Sequence, residues 1–185
     1  PAYGEGMIFV GLSNGSVQAF DAETLDSLWL YTDPLGGQPN CPIAYADGYI
    51  YTGFWNSETK QANFACLSVT DEDATKTNEA KLPTWTYTHN GFYWAGAYVN
   101  SDFVLVTTDD GENGYTTGYG SILSLNPKTG KLIDSCSTNV ATSAAASATI
   151  RRPRPITSPP RAATFTGSRW TPTEGSVPAP SSGCI

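Results

Sequence analysis

The first 135 residues alternate between short apolar stretches and turns rich in Gly, Asn, Asp and Ser. Residues 6–32 show the pattern once, as the stretches MIFVGL, SVQAF and SLWLYT, separated by the turns Ser13-Asn14-Gly15 and Asp21-Ala22-Glu23-Thr24. Asn-Gly between alternating stretches is typical of a two-residue β-hairpin turn, because both central residues of that turn need a positive φ. The pattern therefore predicts three antiparallel strands joined by tight turns.

The same pattern recurs twice along the chain. Residues 48–55 repeat the first strand, residues 63–69 repeat the second, and Trp85 follows Trp29 by 56 residues. A third copy reads FVLVTTDDG and then SILSLNPKTGKLI. Each later copy is preceded by a further apolar stretch, at 41–48 and at 91–102, which adds a fourth strand. A repeat of about 40–55 residues with four short strands is typical of β-propeller blades.

The repeat predicts an all-β fold, a β-propeller fragment of four-stranded antiparallel blades within residues 1–140. We expect a partial blade at 3–32 that lacks its innermost strand, and complete blades at 41–88 and 91–135. Strands are lettered A to D from the innermost outward. A propeller closes with about four to eight blades, so the remaining blades of the same propeller are expected to be partners of these three.

The turn between strands C and D resembles the tryptophan-docking motif of PQQ-like β-propellers, whose pattern is roughly A-x-D-x-x-T-G-K-x-x-W. The first copy has Asp21, Thr24 and Trp29, and the third copy keeps Thr129 and Gly130. In this motif the polar side chains hydrogen-bond the turn backbone, and glycine supplies a positive φ. The resemblance implies that the tryptophan packs onto the neighbouring blade.

The motif departs from the family pattern at two positions and is stretched in the second copy. Leu25 stands where the first copy needs glycine, and Asp134 stands where the third copy needs its tryptophan. The second copy has a longer acidic turn, from Asp71 to Lys81, before Trp85. We interpret Asp71-Glu72-Asp73 as a solvated hairpin tip.

Charge is distributed unevenly along the chain. Five lysines and 16 acidic residues precede residue 140, whereas five arginines and one acidic residue follow it. Residues 141–185 are rich in Ala, Pro, Ser, Thr and Arg and lack strand periodicity, as in a disordered linker. A second hypothesis is that this tail is a fourth blade read in the wrong frame, because the shifted frame of residues 141–176 can read PYYFTSK, a Gly-Gly turn and YFYRVEV. Sequencing the coding DNA decides between the two.

Composition excludes several classes of function. A net charge of −7 argues against a nucleic-acid surface. The sequence contains no run of about 18 apolar residues, the length that a membrane-spanning helix needs. The cysteines form no CxxC pair, which disfavours a zinc site. Cys41 and Cys66 are either small buried side chains or a disulfide, which would suit an exported protein.

Candidate catalytic and metal-binding residues are few. His89 is the one histidine, so no Ser-His-Asp triad is available, and we place it in a loop between blades. Asp109, Asp110 and Glu112 lie in an oxygen-rich loop that suits Ca²⁺, although Asp, Asn and Gly also build ordinary long turns. We expect no cofactor: the PQQ of the related dehydrogenases needs a stacking tryptophan, a catalytic aspartate and a calcium site that have no counterpart here.

Aromatic residues mark a candidate ligand groove. Trp55, Tyr93 and Trp94 are the residues we expect to line it, with Phe92, Tyr115 and Tyr119 as further candidates. Such faces suit a sugar or a peptide, but packing between blades uses the same residues.

The sequence therefore favours a non-catalytic binding or scaffold module of an exported or cell-surface bacterial protein, whose partner is a protein, a peptide or a glycan. Two alternatives are an adhesin for carbohydrates or peptides and a piece of a quinone-dependent dehydrogenase. The family that the motif resembles contains quinoprotein dehydrogenases, an outer-membrane assembly lipoprotein and cell-surface proteins without a cofactor.

Overall fold

The structure, a computed structural model, describes residues 1–57, 60–92, 94–109 and 120–137. Within these ranges the chain forms 13 β-strands and no helix. The strands make three sheets that follow one another along the chain, each built on four antiparallel strands. The predicted all-β architecture of four-stranded antiparallel units is therefore confirmed. The tail at 141–185, on which the frame-shift hypothesis rests, lies outside the described residues.

Blade 1 contains four antiparallel strands, namely β1 (Ala2–Gly4), β2 (Met7–Leu12), β3 (Ser16–Asp21) and β4 (Ser27–Thr32). The expectation that this blade lacks its innermost strand was wrong, since Ala2 pairs with Phe9 and Gly4 pairs with Met7. Asn14 and Gly15 have φ values of 66° and 72°, as the predicted hairpin turn requires.

Blade 2 consists of β5 (Ala44–Ala46), β6 (Tyr49–Gly53), β7 (Gln61–Ser68) and β9 (Trp85–Asn90), in that spatial order. Its strands fall on the apolar stretches that the repeat predicts. His89 was expected in a loop, but it pairs with Ala62 inside the β7–β9 ladder. The alternation that continues from Trp85 through Tyr87 carries the strand past the predicted end.

Blade 3 consists of β10 (Tyr98–Val99), β11 (Val104–Thr108), β12 (Ser121–Leu125) and β13 (Leu132–Ser137). Successive strands pair antiparallel, as in the other two blades. The inner strand β5 contacts both β1 and β10, so the blades lie side by side in chain order.

The long acidic turn of blade 2 reaches back to blade 1. Its strand β8 (Glu79–Ala80) pairs in parallel with β4 and becomes a fifth strand of the first sheet. Lys81 is buried, donates its backbone N–H to the Leu30 carbonyl, and places its ammonium 2.9 Å from Glu72 and 5.5 Å from the Trp29 ring centroid. The expected solvated tip is thus only partly solvated. Pairing with β8 covers the edge of β4, which would otherwise expose its backbone groups.

Apolar side chains fill two interfaces between blades. The first, between blades 1 and 2, is made of aromatic and aliphatic residues that include Phe9, Trp29, Tyr31, Ile50, Phe54 and Leu67. The second, between blades 2 and 3, includes Tyr51, Phe64, Trp85, Phe92, Val104 and Leu125. Alternate residues of one strand face opposite sides, so blade 2 contributes to both interfaces.

A tryptophan crosses each interface and meets the equivalent backbone position of the next blade. The Trp29 Nε1–H donates to the Val69 carbonyl at 3.4 Å, and the Trp85 Nε1–H donates to the Pro127 carbonyl at 2.8 Å. Gly130 has a φ of 68°, and a Cβ built on it would lie 2.5 Å from the Trp85 ring. A side chain at this turn position would therefore displace the docked tryptophan.

The antiparallel order gives the molecule two distinct ends. The connections between strands B and C, and those from one blade to the next, lie at one end, which we call the loop end. The turns between strands A and B and between strands C and D lie at the opposite end, which we call the turn end. Phe54, Gly91 and Asp109 lie at the loop end, whereas Asp47, Asn100 and Pro127 lie at the turn end.

Candidate functional site

The loop end joins consecutive blades through a series of backbone hydrogen bonds. Gln38 and Trp55 form a β-bridge, with N···O distances of 2.8 and 3.0 Å. The Phe92 N–H donates to the Phe54 carbonyl at 2.9 Å, and the Trp94 N–H donates to the Asn40 carbonyl at 3.0 Å. These bonds fix the backbone on which the predicted groove residues lie.

Trp94 is the most exposed tryptophan of the described residues, with 60% of its surface accessible. Its backbone has a φ of 59°, in the left-handed region that non-glycine residues seldom occupy. Phe92 and Ala95, on either side, are buried at 0% and 5% exposure. The segment therefore holds a large aromatic ring in solvent while its neighbours anchor the loop.

Trp55 has a different environment. It is half-buried, and its ring lies against Gly91, where any Cβ would overlap it. The neighbouring Phe54 is fully buried against blade 1. Trp55 thus packs against the segment that follows β9, while Trp94 faces solvent. Tyr93, Tyr115 and Tyr119 lie outside the described residues.

A buried network of polar side chains lies next to the loop end. The Asp33 carboxylate accepts hydrogen bonds from the Tyr31 hydroxyl at 2.6 Å and from Asn63 Nδ2 at 3.1 and 3.0 Å. The Thr88 hydroxyl donates to Asn63 Oδ1 at 2.6 Å, and the Leu35 N–H donates to Asp33. Burial, together with the Asp33 carboxylate, raises the pKa of Tyr31 well above its usual value. Because every oxygen of Asp33 is bonded, the network orders the connection between blades 1 and 2.

His89 and Thr108 form a second polar contact below the loop end. The His89 Nδ1 lies 3.1 Å from the Thr108 hydroxyl, which donates to the Asn90 carbonyl at 2.7 Å. The imidazole stacks on Tyr87 with a centroid distance of 6.3 Å. Partial burial lowers the pKa of His89. These contacts place the histidine in a structural role between blades 2 and 3.

The predicted calcium loop is only partly described. Asp109 is buried at the end of β11, with its N–H donating to the Gly91 carbonyl at 2.8 Å, whereas Asp110 and Glu112 lie outside the described residues. Within the ranges described, no three His, Cys, Asp or Glu side chains are grouped to hold a metal ion. The same ranges contain no helix able to cross a membrane.

The buried cysteines are thiols. Cys41 and Cys66 are both free, so the disulfide alternative is excluded. Cys41 Sγ donates to the Ala95 carbonyl at 3.3 Å, which links the two connections of the loop end. Burial raises the pKa of the Cys41 thiol and of the Cys66 thiol to about 12, so both are protonated at neutral pH and are poor nucleophiles.

A cavity at the turn end was not predicted from the sequence. It has a volume of about 470 Å³ and lies between blades 2 and 3, with Tyr49 and Tyr51 of β6 on one side and Val99 and Pro127 on the other. Its walls come from four separate segments of the chain between Ala46 and Lys128, so no local motif marks it. The exposed aromatic Tyr49, directly after the positive-φ pair Asp47-Gly48, was the one local signal.

Comparison with known proteins supports the fold. No protein-family model and no curated protein matches the chain. A europium-containing methanol dehydrogenase is similar with a TM-score of 0.53 and 17% identity, over 72% of this chain and 23% of that one. The quinohemoprotein alcohol dehydrogenase ADHIIG from Pseudomonas putida HK5 is similar with a TM-score of 0.52 and 12% identity, over 75% and 26%.

A third structure, the quinohemoprotein alcohol dehydrogenase from Comamonas testosteroni, has a TM-score of 0.50 and 19% identity, over 71% of this chain and 19% of that one. The chain thus spans about a quarter or less of these proteins. At such identities the likeness shows the fold alone. The chain has the fold of β-propeller blades, as the repeat predicts.

Proposed function

We propose that these blades form a non-catalytic binding or scaffold module of an exported or cell-surface bacterial protein. The loop end is the binding surface, and its ligand is a protein, a peptide or a glycan. The observation that carries the proposal is Trp94, a tryptophan with 60% of its surface in solvent on a backbone with a φ of 59°. An exposed indole in a strained conformation costs stability, which selection tolerates mainly at functional surfaces.

The surroundings of Trp94 favour recognition by a preformed surface. Its N–H is bonded to the Asn40 carbonyl, and Asn56 Nδ2 bonds the Leu35 carbonyl at 2.8 Å in the adjoining connection. Leu35 is itself 44% exposed, so an apolar side chain lies on the same end as the indole. A surface that is ordered before binding loses little conformational entropy when the ligand arrives.

A non-catalytic role is supported by the state of the nucleophilic and basic groups. The Cys41 and Cys66 thiols are buried with a raised pKa, and the imidazole of His89 is engaged by Thr108 and Tyr87. Among the described residues, the hydrogen-bond partners of these three groups are hydroxyls and backbone carbonyls rather than a carboxylate or a second imidazole. Export is supported by the abundance of Asn, Gly, Thr and Tyr and by the resemblance of the docking motif to exported proteins.

A binding screen with a matched pair of variants tests the proposal. The chain, Trp94→Asn and Leu82→Asn are applied to glycan and peptide arrays. Asn tolerates a positive φ, so Trp94→Asn removes the ring without adding strain. Leu82 is 81% exposed at the turn end and serves as the control. We expect Trp94→Asn to weaken the strongest binding by about 30-fold, as for a tryptophan hot spot, and Leu82→Asn to leave it unchanged.

Two outcomes of the screen contradict the proposal. One is a ligand that both variants bind as well as the unmodified chain, and the other is the absence of any ligand on either array. If all the bound ligands are glycans, the module is a carbohydrate-binding adhesin, which was the first alternative.

A further inference from the structure

The cavity at the turn end is separate from the loop end, and its walls carry both apolar and charged side chains. Tyr49 and Tyr51, with Val99 and Pro127 facing them, supply an apolar lining. A volume of about 470 Å³ lies within the range that small-molecule sites usually have, roughly 300–1,000 Å³. Tyr51 is held by its contact with Trp85, 6.0 Å between ring centroids, and Trp85 is anchored to the Pro127 carbonyl. The floor of the cavity is therefore rigid.

The lining also carries two opposite charges that form no ion pair with any other residue in the described ranges. Asp47 belongs to the wall from blade 2, and Lys128 belongs to the wall from blade 3. The ion pairs found among the described residues are Lys76–Asp73 and Lys81–Glu72, so neither Asp47 nor Lys128 has an ionic partner there. An apolar cavity that has a carboxylate on one wall and an ammonium on the other suits a ligand with the inverse pair of charges.

Asn100 adds a third polar group to the wall from blade 3. Its Oδ1 accepts the N–H groups of Asp102 and Phe103, at 2.9 and 2.8 Å, which fixes the orientation of the amide. Its Nδ2 donates to no other group in the part of the chain that the structure describes, and it remains available to an acceptor on a ligand. Lys128 and Asn100 thus supply two donors on one wall, and Asp47 supplies an acceptor on the other.

We propose that this cavity binds a zwitterionic ligand with an apolar side chain, either a free amino acid or a short peptide. Its ammonium pairs with Asp47, its carboxylate pairs with Lys128 and Asn100, and its side chain lies against Tyr49 and Tyr51. The left-handed backbone at Asp47, with a φ of 49°, sets the carboxylate at the tip of the β5–β6 turn. The site is independent of the loop end.

Calorimetric titration of the full chain tests this site with four probes: L-phenylalanine, the tripeptide Ala-Phe-Ala, uncharged N-acetylphenylalanine amide, and maltose. We expect at least one of the two zwitterions to bind, and the uncharged amide to bind about tenfold more weakly. The relative affinity of phenylalanine and the tripeptide tells whether a free amino acid or a peptide is preferred.

Charge variants distinguish specific binding at this cavity from non-specific binding. Asp47→Asn and Lys128→Gln lie in exposed turns, so both should fold normally, and each should weaken the binding of the zwitterion about tenfold. Trp94→Asn, at the loop end, should leave it unchanged, which keeps this test separate from that of the proposed function. The proposal is overturned if neither zwitterion binds up to about 10 mM, if the uncharged amide or maltose binds as well, or if both charge variants bind normally.

Discussion

Leu25 and Gly130 occupy equivalent positions in the C–D turns of blades 1 and 3. Their φ values are 63° and 68°, so the two turns have the same left-handed backbone although one carries a leucine. Leu25 is 63% exposed, whereas Gly130 is covered by the Trp85 ring. Leu25, which replaces the glycine of the docking motif, therefore leaves the turn intact but holds its backbone in a strained conformation.

Replacing Leu25 by glycine should stabilise the chain by about 0.5–1 kcal/mol, because relief of the left-handed strain exceeds the added entropy of the unfolded glycine. Urea unfolding followed by tryptophan fluorescence measures the change. The matched variant Gly130→Ala should lose about 1–3 kcal/mol, since its Cβ would lie 2.5 Å from the Trp85 ring. Equal effects of the two substitutions would contradict this interpretation.

His89 should make the stability of the chain depend on pH. Partial burial lowers its pKa from 6.5 in the folded state, so the unfolded chain binds the proton more readily. The stability contributed by the neutral imidazole is fully present above pH 6.5 and is lost as the pH falls through that value towards the lower pKa of the folded state.

The variant His89→Gln keeps a partner for the Thr108 hydroxyl but does not titrate. It should lose less of its unfolding free energy than the original chain when the pH falls from about 7.5 to about 5.5. Urea titrations at the two pH values measure this. The same loss in both proteins would show that His89 contributes nothing to the pH dependence.

At the scale of strands, the sequence predicted the longer elements well. Apolar alternation located β2, β3 and β4, their counterparts in blades 2 and 3, and the turn at Asn14-Gly15. Two strands were missed for physical reasons. Strand β1 has three residues, too few for a period of two to be recognised. Strand β8 has two residues and exists because it pairs in parallel with β4, a contact with no local signature.

The candidate sites, too, could be predicted from the sequence only in part. Trp94 was named because it is an aromatic residue near a predicted inner strand, but the sequence did not separate it from Trp55, because only the close approach of Gly91 decides which indole is covered. The cavity at the turn end depends on how blades 2 and 3 approach each other, and this distance is set by Trp85 meeting Pro127. Such long-range packing cannot be read from one repeat.

Lys81 should hold strand β8 against blade 1. Its ammonium donates to the Thr70 carbonyl at 2.5 Å and to Glu72 at 2.9 Å, and it lies near the Trp29 ring. Lys81→Met keeps the apolar stem and removes the charge, and it should reduce the unfolding free energy by about 1–2 kcal/mol. Thermal unfolding monitored by circular dichroism provides the measurement.

The control for Lys81 is Lys76→Met, since the Lys76–Asp73 ion pair of the same turn is largely exposed. This substitution should cost much less than Lys81→Met, because water screens surface ion pairs. A Lys81→Met variant as stable as the Lys76→Met variant would show that β8 is held by its backbone bonds alone.

At the scale of the whole molecule, the outer edge of blade 3 is, within the described ranges, an open strand edge with exposed apolar side chains. Leu132 and Ile133 of β13 are 45% and 55% exposed, and no strand among the described residues pairs with the outer side of β13. Blade 1 differs, because β8 covers its outer strand β4. An open apolar edge strand is a template for pairing with another chain.

We therefore expect the isolated chain to self-associate at about 10 μM in sedimentation velocity, and Ile133→Lys to shift it towards monomer, as charged edge residues do. Leu82→Lys is the matched control, because Leu82 is exposed at the turn end, away from β13. A monodisperse monomer of the unmodified chain at this concentration would count against an open edge.

The central claim is that neighbouring blades are joined by a tryptophan that donates to the next blade, while Trp94 points into solvent at the loop end. Hydrogen exchange of the indole N–H groups, followed by ¹H–¹⁵N NMR and assigned with single Trp→Phe variants, tests the first part directly. We predict that the Trp29 and Trp85 signals exchange at least about 100-fold more slowly than free indole, since their N–H groups are bonded to Val69 and Pro127. Exchange of both signals at the rate of free indole would contradict the stacked arrangement of the blades.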